Sequence, residues 1–431
     1  MTLSVSRRQA LLGATGAAAL ALAATRPSAQ DRPALAGTPQ EAATDDAYWD
    51  AVRARYTVSD EITNLENGYW GVMADPVKRR FVELTEMVNT RNSVFARTEF
   101  GGKTDLVTAR LARALGVDPG EVVLTRGASE ALQNLIGGYN RIEPGDAVLY
   151  ADLDYDAMIY NMRWLAERRG AKVVSIAIPE PATHDAVLDA YARAFEAEPR
   201  LKLVLLTHVS HRTGLVPPVR EIAAMARERG ADVILDAAHS WGQIDFGPLD
   251  LGIPFVGFNL HKWIGNPQGA GVIYIAADRL DAIDPHMGDR DWDQDDIRAR
   301  VHTGTQNMAA WLTVPAALDF HDAIGPAAKE ARLRHLRNLW VDAVREVPGV
   351  DVLTVDDPRM HAGITSFRLN GMTSREQNVA VAERLAEEHG LFTTRRGGVA
   401  AGDCVRVTPA VYNTEEDVMR LARALRSMAR G

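Results

Sequence analysis

Residues 232–262 read DVILDAAHSWGQIDFGPLDLGIPFVGFNLHK and contain two apolar runs that decide the fold class. Val233–Asp236 and Phe255–Asn259 are short, rich in aliphatic or aromatic residues, and bounded by glycine, proline or charged residues. Such runs are typical of strands that are buried on both faces of a sheet. Asp236 ends the first strand and Lys262 follows the second, so we expect both side chains at the edge of an open α/β sheet where ligands bind.

Five further runs of the same kind occur on both sides of this stretch. They predict strands at Val122–Thr125, Ala147–Ala151, Val173–Ile178, Leu201–Thr207 and Val272–Ile275. Amphipathic stretches lie between most of the strands, at Ala131–Tyr139, Ala157–Arg168, Val187–Ala197 and Val219–Arg229. Strands that alternate with helices build crossover units. The pattern therefore predicts an α/β fold with a mostly parallel seven-stranded sheet, in a large domain over residues 46–308.

The order of predicted helices and strands changes after about residue 309. A long helical stretch extends through Val347, and two strands and two helices follow it. They are predicted at Ile364–Leu369, Arg375–His389, Val405–Thr408 and Glu415–Met428. This order favours a small α+β C-terminal domain over residues 309–431.

The composition of the chain argues against several kinds of binding partner and metal site. The 431-residue chain has a formal net charge of -9, so it lacks the basic excess that binds nucleic acids. Its single cysteine, Cys404, excludes an intrachain disulfide framework and a thiolate cluster for a metal. A metal hydrolase is a weak alternative, because His208, His211, His239 and His261 could converge but lack the spacing of a metal motif. We expect a small-molecule substrate and no metal.

The first thirty residues predict a targeting segment rather than part of the fold. Arg7 and Arg8 precede an uncharged stretch rich in Ala, Gly and Leu that ends at Ala24. That stretch is shorter than the roughly twenty residues that a membrane-spanning helix needs. Paired arginines at its head favour a twin-arginine signal peptide over residues 1–30, export by the twin-arginine translocase, and a periplasmic location. An Ala-rich tail or a short membrane anchor is the alternative.

Lys262 and Asp236 have the chemistry of a carbonyl cofactor site. An amine flanked by His261 and Trp263 can be desolvated and can act as a Schiff-base nucleophile. A carboxylate at the end of the preceding strand can pair with a protonated pyridine nitrogen and keep the ring an electron sink. A helix N-cap is the alternative role for Asp236.

A phosphate site is predicted in the turn between the first large-domain strand and the next helix. Gly127 permits a tight turn, and Ala128 and Ser129 offer backbone amides at the start of a helix. The amides at a helix start bind anions. A plain helix cap is the alternative.

Several motifs together resemble the class V aminotransferase family of pyridoxal-phosphate (PLP) enzymes, which have fold type I. They are Asn259–Trp263 with Gly269–Gly271, Asp236–His239, Leu206–Pro217, Gly304–Gln306 and Tyr412–Thr414. Within the family they are most similar to isopenicillin N epimerase and its bacterial relatives. The resemblance covers residues from about 46 to the end. It implies PLP as the cofactor and a homodimer in which two subunits share each active site.

The resemblance also implies roles for single residues. Lys262 would hold the cofactor covalently and move the proton at the substrate α-carbon, Asp236 would hold the ring nitrogen, and His239 would lie near the phenolic oxygen. The other implied cofactor contacts are Ala128, Ser129, Tyr155, Asn259 and His261, with Gly304 and Thr305 of the partner subunit. Arg406 would grip the substrate carboxylate as a bidentate fork, and Asn67 is a second candidate for substrate binding.

Departures from the family's pattern affect the predicted reaction. The loop at residues 394–400 has no thiol, so cysteine desulfuration by the usual persulfide route is doubtful, and Cys404 is better explained as a small buried residue. His211, Arg395 and Arg396 favour a substrate with extra negative charge, and a solvated loop is the alternative explanation of the two arginines. We expect a PLP enzyme that acts at the α-carbon of an amino acid, alone or within a peptide or siderophore. A desulfurase or lyase of the family and a catalytically silent ligand-binding protein of the same fold are the alternatives.

Overall fold

Strands and helices alternate through most of the computed structural model, which describes residues 37–430. The strands are β1 (Thr63–Asn64), β2 (Val122–Thr125), β3 (Ala147–Ala151), β4 (Lys172–Ile176), β5 (Leu201–Thr207), β6 (Asp232–Ala237), β7 (Phe255–Asn259), β8 (Gly271–Ile275), β9 (Val350–Val352), β10 (Thr365–Leu369), β11 (Leu391–Phe392), β12 (Thr394–Arg396) and β13 (Cys404–Val407). The helices are α1 (Pro39–Ala43), α2 (Asp46–Arg53), α3 (Asp75–Thr98), α4 (Phe100–Leu115), α5 (Ala128–Gly138), α6 (Asp156–Arg169), α7 (His184–Ala197), α8 (Val219–Glu228), α9 (Pro248–Leu251), α10 (Met308–Ile324), α11 (Pro326–Val344), α12 (Arg375–His389) and α13 (Glu415–Met428). The predicted signal segment lies outside the described residues.

The central sheet has seven strands in the order β2-β8-β7-β6-β5-β3-β4. Strand β8 is antiparallel to both of its neighbours, and the remaining pairs are parallel. The predicted fold class, a mostly parallel seven-stranded sheet, is therefore confirmed. The predicted bounds of β2, β3, β5 and β7 agree with the structure, and those of β4, β6 and β8 differ by one or two residues.

Alternate residues along the inner strands of the central sheet pack into cores on opposite faces of the sheet. In β5, Val204 and Leu206 belong to one core, and Leu203 and Leu205 belong to the other. A strand that is covered on both faces carries a continuous apolar run. Polar side chains at the carboxyl ends of β6 and β7 lie outside these cores. Because β6 and β7 are parallel neighbours, their carboxyl ends lie side by side.

The C-terminal part contains a small antiparallel sheet in the order β12-β13-β10-β9. The prediction of one long helical stretch before it was wrong, because Gly325, with φ of 85°, separates α10 from α11 and Pro326 begins α11. A positive φ ends a helix, and proline suits the first turn of the next one. The domain boundaries at residues 46, 308 and 309 stay predictions.

One N-terminal segment joins this C-terminal part. Strand β1 pairs in parallel with β11, and Glu66 forms an isolated bridge with Thr408. Residues 66–71, which follow β1, therefore lie beside the end of β13 and contact the segment that follows β7. Within residues 37–430, no helix has both the length and the apolar character required to cross a membrane.

Candidate active site

A cavity of about 860 Å³ lies where the carboxyl ends of the central strands meet the start of α5. The structure brings most of the predicted site residues to its wall. These are Ala128, Ser129, Tyr155, Asp236, His239, Asn259, His261, Lys262 and Arg406. Strand register explains part of this grouping, because Asp236 is paired with Thr207 of β5 on one side and with Gly257 of β7 on the other.

Burial favours the uncharged form of the Lys262 amine. Desolvation in the cavity lowers its pKa from 10.5 to about 7, and the charges of Arg406 and Arg396 add to this effect. The negative charges of Asp236 and Glu66 oppose it. A neutral lysine amine is a nucleophile, whereas an ammonium ion is not.

Hydrogen bonds around His239 also favour the uncharged form of Lys262. Trp263 Nε1 donates to His239 Nδ1 at 3.4 Å, and an indole N–H can only donate. Burial holds the pKa of His239 well below its ordinary value, so the ring is neutral and its one proton lies on Nε2. Nε2 is 2.9 Å from Lys262 Nζ. His239 therefore donates to Lys262, which accepts the bond as a neutral amine.

Asp236 is a buried carboxylate at the wall of the cavity. Its Oδ1 accepts a hydrogen bond from the backbone N–H of Ala238 at 2.9 Å. Residues 238–240 form a turn, so the alternative of a helix N-cap was wrong. Burial raises the pKa of Asp236, while the Ala238 bond and the charge of Lys262 act in the opposite direction. A carboxylate in this position is stabilised by a cationic partner in the cavity.

The start of α5 offers donors for a phosphate. The helix has no side-chain cap, and the backbone N–H of Ala128 donates to Asn259 Oδ1 at 3.4 Å. Asn259 Nδ2 is 3.1 Å from His261 Nε2, so the amide orients both the helix start and the imidazole. A Cβ on Gly271 would lie 2.5 Å from Gly127 Cα, which shows how tightly β8 packs under this turn. An uncapped helix start, a buried carboxylate and a neutral lysine amine fit the phosphate, the ring nitrogen and the aldehyde of PLP.

Tyr155 lies on the same wall, at the residue before α6. Its side chain is exposed, and its ring meets that of His211 edge to face, with 5.3 Å between the ring centroids. An aromatic ring that is open to the cavity can pack against a planar ligand.

Other predicted residues do not reach this cavity. Asn67 is buried, its Nδ2 donates to the carbonyl of Thr408 at 3.0 Å, and its Oδ1 accepts from the hydroxyl of Tyr412. The amide of Asn67 is therefore used inside the protein rather than at the cavity wall. Gly304 and Thr305 are exposed on a separate loop, and Gly304 lines a second cavity that is rich in aspartate.

The sequence motifs did not reveal the environment of Arg406. This arginine donates from Nη1 to the carbonyl of His211 at 2.7 Å and from Nε to Glu66 Oε2 at 3.3 Å. Its Nη2 is paired with Glu66 Oε1. Arg396 also reaches Oε1 of Glu66, at 3.2 Å, and lines the cavity. Glu66 and Arg406 are 340 positions apart, so no local motif connects them.

Two further features limit the chemistry of the site. Arg395, which we expected near the pocket mouth, pairs with Asp403 and does not line this cavity. Across residues 37–430, no group of three or more His, Cys, Asp or Glu side chains is arranged to hold a metal ion.

Comparisons with known proteins bear on the family and the fold of the chain. The family described as aminotransferase class-V matches residues 84–421. The chain is 28% identical to isopenicillin N epimerase of Streptomyces clavuligerus over 396 residues, which cover 88% of this chain and 98% of that protein. It is 30% identical to probable cysteine desulfurase 2 of Mycobacterium leprae over 344 residues, or 74% of this chain and 79% of the other.

Solved structures show the same fold. The apo cysteine desulfurase of Thermococcus onnurineus has a TM-score of 0.77 at 22% identity, over 89% of this chain and 98% of that chain. A C-DES mutant with glycine covalently linked to the PLP cofactor has a TM-score of 0.75 at 22% identity, over 87% of this chain and 99% of the other.

We predict that covalent loading of the apoprotein with PLP depends on pH with a midpoint near 7. The loading rate should rise as the pKa of Lys262, about 7, is passed from below, and should then level off. An ordinary lysine would keep gaining reactivity up to about pH 10. The charge of Asp236 raises this pKa, so Asp236→Asn should move the midpoint to lower pH.

Stopped-flow absorbance at a series of pH values measures the loading rate. Borohydride reduction and peptide mapping identify the labelled lysine. A label on Lys172 or Lys202, or a midpoint above about pH 9, would contradict the assignment.

Proposed function

The chain belongs to the class V aminotransferase family of PLP-dependent enzymes, and from that premise we propose that it acts at the α-carbon of an amino acid in an isopenicillin N epimerase-like or related tailoring reaction. The substrate is a free amino acid or an amino-acid residue within a peptide or siderophore. One observation carries the proposal: a neutral Lys262 amine, hydrogen-bonded to His239, lies in the same cavity as Asp236 and Arg406.

The residues divide the work of the reaction. When bound, PLP supplies an electron sink for the carbanion that forms at the α-carbon. Lys262 would hold the cofactor and, once freed by the substrate amine, would move a proton at the α-carbon. Asp236 would hold the ring nitrogen, and the amides of Ala128 and Ser129 would hold the phosphate. Arg406 would bind the substrate carboxylate.

Cysteine desulfuration is the second candidate because desulfurases are among the relatives. The known persulfide route needs a reactive thiol, and Cys404 is the one cysteine of the chain. Its side chain is buried, and burial raises its pKa to about 11. A thiol that stays protonated and enclosed is a poor sulfur acceptor. This environment favours the epimerase-like reaction.

Deuterium exchange tests the proposed site of reaction. We expect the holoenzyme to introduce solvent deuterium at the α-carbon of at least one amino acid, peptide or siderophore precursor, because every reaction proposed here cleaves a bond to that carbon. Mass spectrometry of the recovered substrates measures the exchange. Lys262→Ala should abolish it, whereas Lys202→Ala, at the end of β5 that lies away from the cavity, should not. A complete lack of exchange and of new products across the set would overturn the proposed function.

We also propose that the enzyme works in the periplasm, on the basis of Arg7 and Arg8. Replacing both by lysine should retain the protein in the cytoplasm, because the export machinery requires the arginine pair. Immunoblots of periplasmic and cytoplasmic fractions measure the distribution, with Arg32→Lys as the matched control. Equal periplasmic amounts of the double variant and the wild type would refute this location.

A homodimer with shared sites is the remaining part of the proposal. Gly304 and Thr305 are exposed, as expected for residues that reach the phosphate of a neighbouring subunit. We predict that a Lys262→Ala subunit and a Gly304→Pro, Thr305→Ala subunit are each inactive and regain partial activity on mixing. Proline cannot adopt the φ of 61° found at Gly304, so this loop is disrupted. Subunit exchange without any recovered activity would disprove shared sites.

A further inference from the structure

We infer that Glu66 limits the site to substrates with a single carboxylate, by holding Arg396 and Arg406 as a cluster with one net positive charge. The inference rests on the proposed function, because it takes an amino acid as the ligand of Arg406. It replaces the expectation from sequence that Arg395 and Arg396 favour a substrate with extra negative charge.

Glu66 contacts both arginines at the same time. Its Oε1 is paired with Nη2 of Arg406 and, at 3.2 Å, with Nη2 of Arg396. Its Oε2 accepts from Nε of Arg406 at 3.3 Å. The side chains of Glu66 and Arg406 are 7% and 1% exposed, so water screens this pair little, and the side chain of Arg396 is 26% exposed.

The cluster is held in place from several sides. A Cβ on Gly68 would lie 2.7 Å from Nη2 of Arg406, so the guanidinium packs directly against the backbone there. Glu66 donates its own backbone N–H to Asn64 Oδ1 at 2.9 Å and bridges to Thr408. Turning the Glu66 carboxylate away from both arginines would leave buried charges unpaired, which is strongly unfavourable.

Within residues 37–430, the three other arginines near this cluster each have a carboxylate partner. Arg126 pairs with Glu130, Arg212 with Asp156, and Arg395 with Asp403. The pKa values of His211 and His239 are held well below their ordinary range, mainly by burial, so both rings are neutral.

Two guanidinium groups and one carboxylate then present a single net positive charge, which one substrate carboxylate neutralises. A second anionic group would enter the cavity without a counterion and would lose its hydration. An uncharged side chain avoids this loss. Arg396 lines the cavity, and its guanidinium can donate to a neutral oxygen such as an amide carbonyl.

Glutamine and glutamate test this inference because they have nearly the same shape and differ by one charge. We expect calorimetry on the wild-type holoenzyme to show tighter binding of glutamine. Glu66→Gln keeps the shape and adds one net positive charge, so it should shift the ratio of the two dissociation constants towards glutamate by about tenfold or more, the value of one charge-assisted hydrogen bond. Adding Arg396→Gln to Glu66→Gln should return the ratio towards that of the wild type.

Asp403→Asn is the matched control. This variant removes the carboxylate partner of Arg395, the sequence neighbour of Arg396. Arg395 does not line the cavity, so the ratio of the two dissociation constants should stay unchanged. An unchanged ratio in Glu66→Gln would overturn the inference and leave the proposed function intact. Wild-type preference for glutamate over glutamine, or for aspartate over asparagine, would overturn it even if Glu66→Gln failed to fold. Binding of none of these amino acids would also overturn the inference, whereas the deuterium-exchange test, which includes peptides and siderophore precursors, decides the proposed function.

Discussion

A lysine amine and an aspartate carboxylate must share a desolvated cavity, and this constraint shapes the rest of the site. Each ionised group loses hydration on burial, and the two charges only partly compensate each other. Burial lowers the pKa of Lys262 to about 7 and raises that of Asp236. The uncharged amine is also the form that attacks a carbonyl carbon, so the environment that disfavours the charge prepares the lysine for reaction.

The scaffold keeps the lysine in that environment through contacts on several sides. The backbone N–H of Gly71 donates to the carbonyl of His261 at 2.8 Å, and Nζ of Lys329, from α11, reaches the carbonyl of Trp263. The indole of Trp263 orients His239, whose remaining proton points to the amine. The Lys262 segment is thus fixed by a distant helix and by the N-terminal segment, as well as by its own strand.

The cost of burying charged groups also shapes the substrate side of the cavity. Arg406 and Arg396 would repel each other in a poorly solvated space, and Glu66 relieves this repulsion. The carboxylate comes from the segment after β1, which pairs with β11 of the C-terminal part. Assembly of the N-terminal segment onto the C-terminal part therefore sets the charge that a substrate meets.

Local patterns in the sequence were sufficient for the fold and for much of the candidate site. Apolar runs bounded by turn residues predicted the strands of the central sheet, because strands buried on both faces need continuous apolar sequence. Groups directly after those strands, such as Asp236 and Lys262, could be placed together because parallel strands end at one edge. The break at Gly325 could have been predicted, because the pair Gly325-Pro326 is a strong turn signal even within a helical pattern.

Only the tertiary structure decided the protonation of Lys262, the inward use of the Asn67 amide and the pairing of Glu66 with two arginines. Each of these depends on burial and on contacts between residues far apart in the chain. Arg395 and Arg396 are adjacent and chemically identical, yet one pairs with Asp403 outside the cavity and the other lines it. Residue type and order along the chain determine what a side chain can do, and the packing around it determines which charge it carries and which partner it meets.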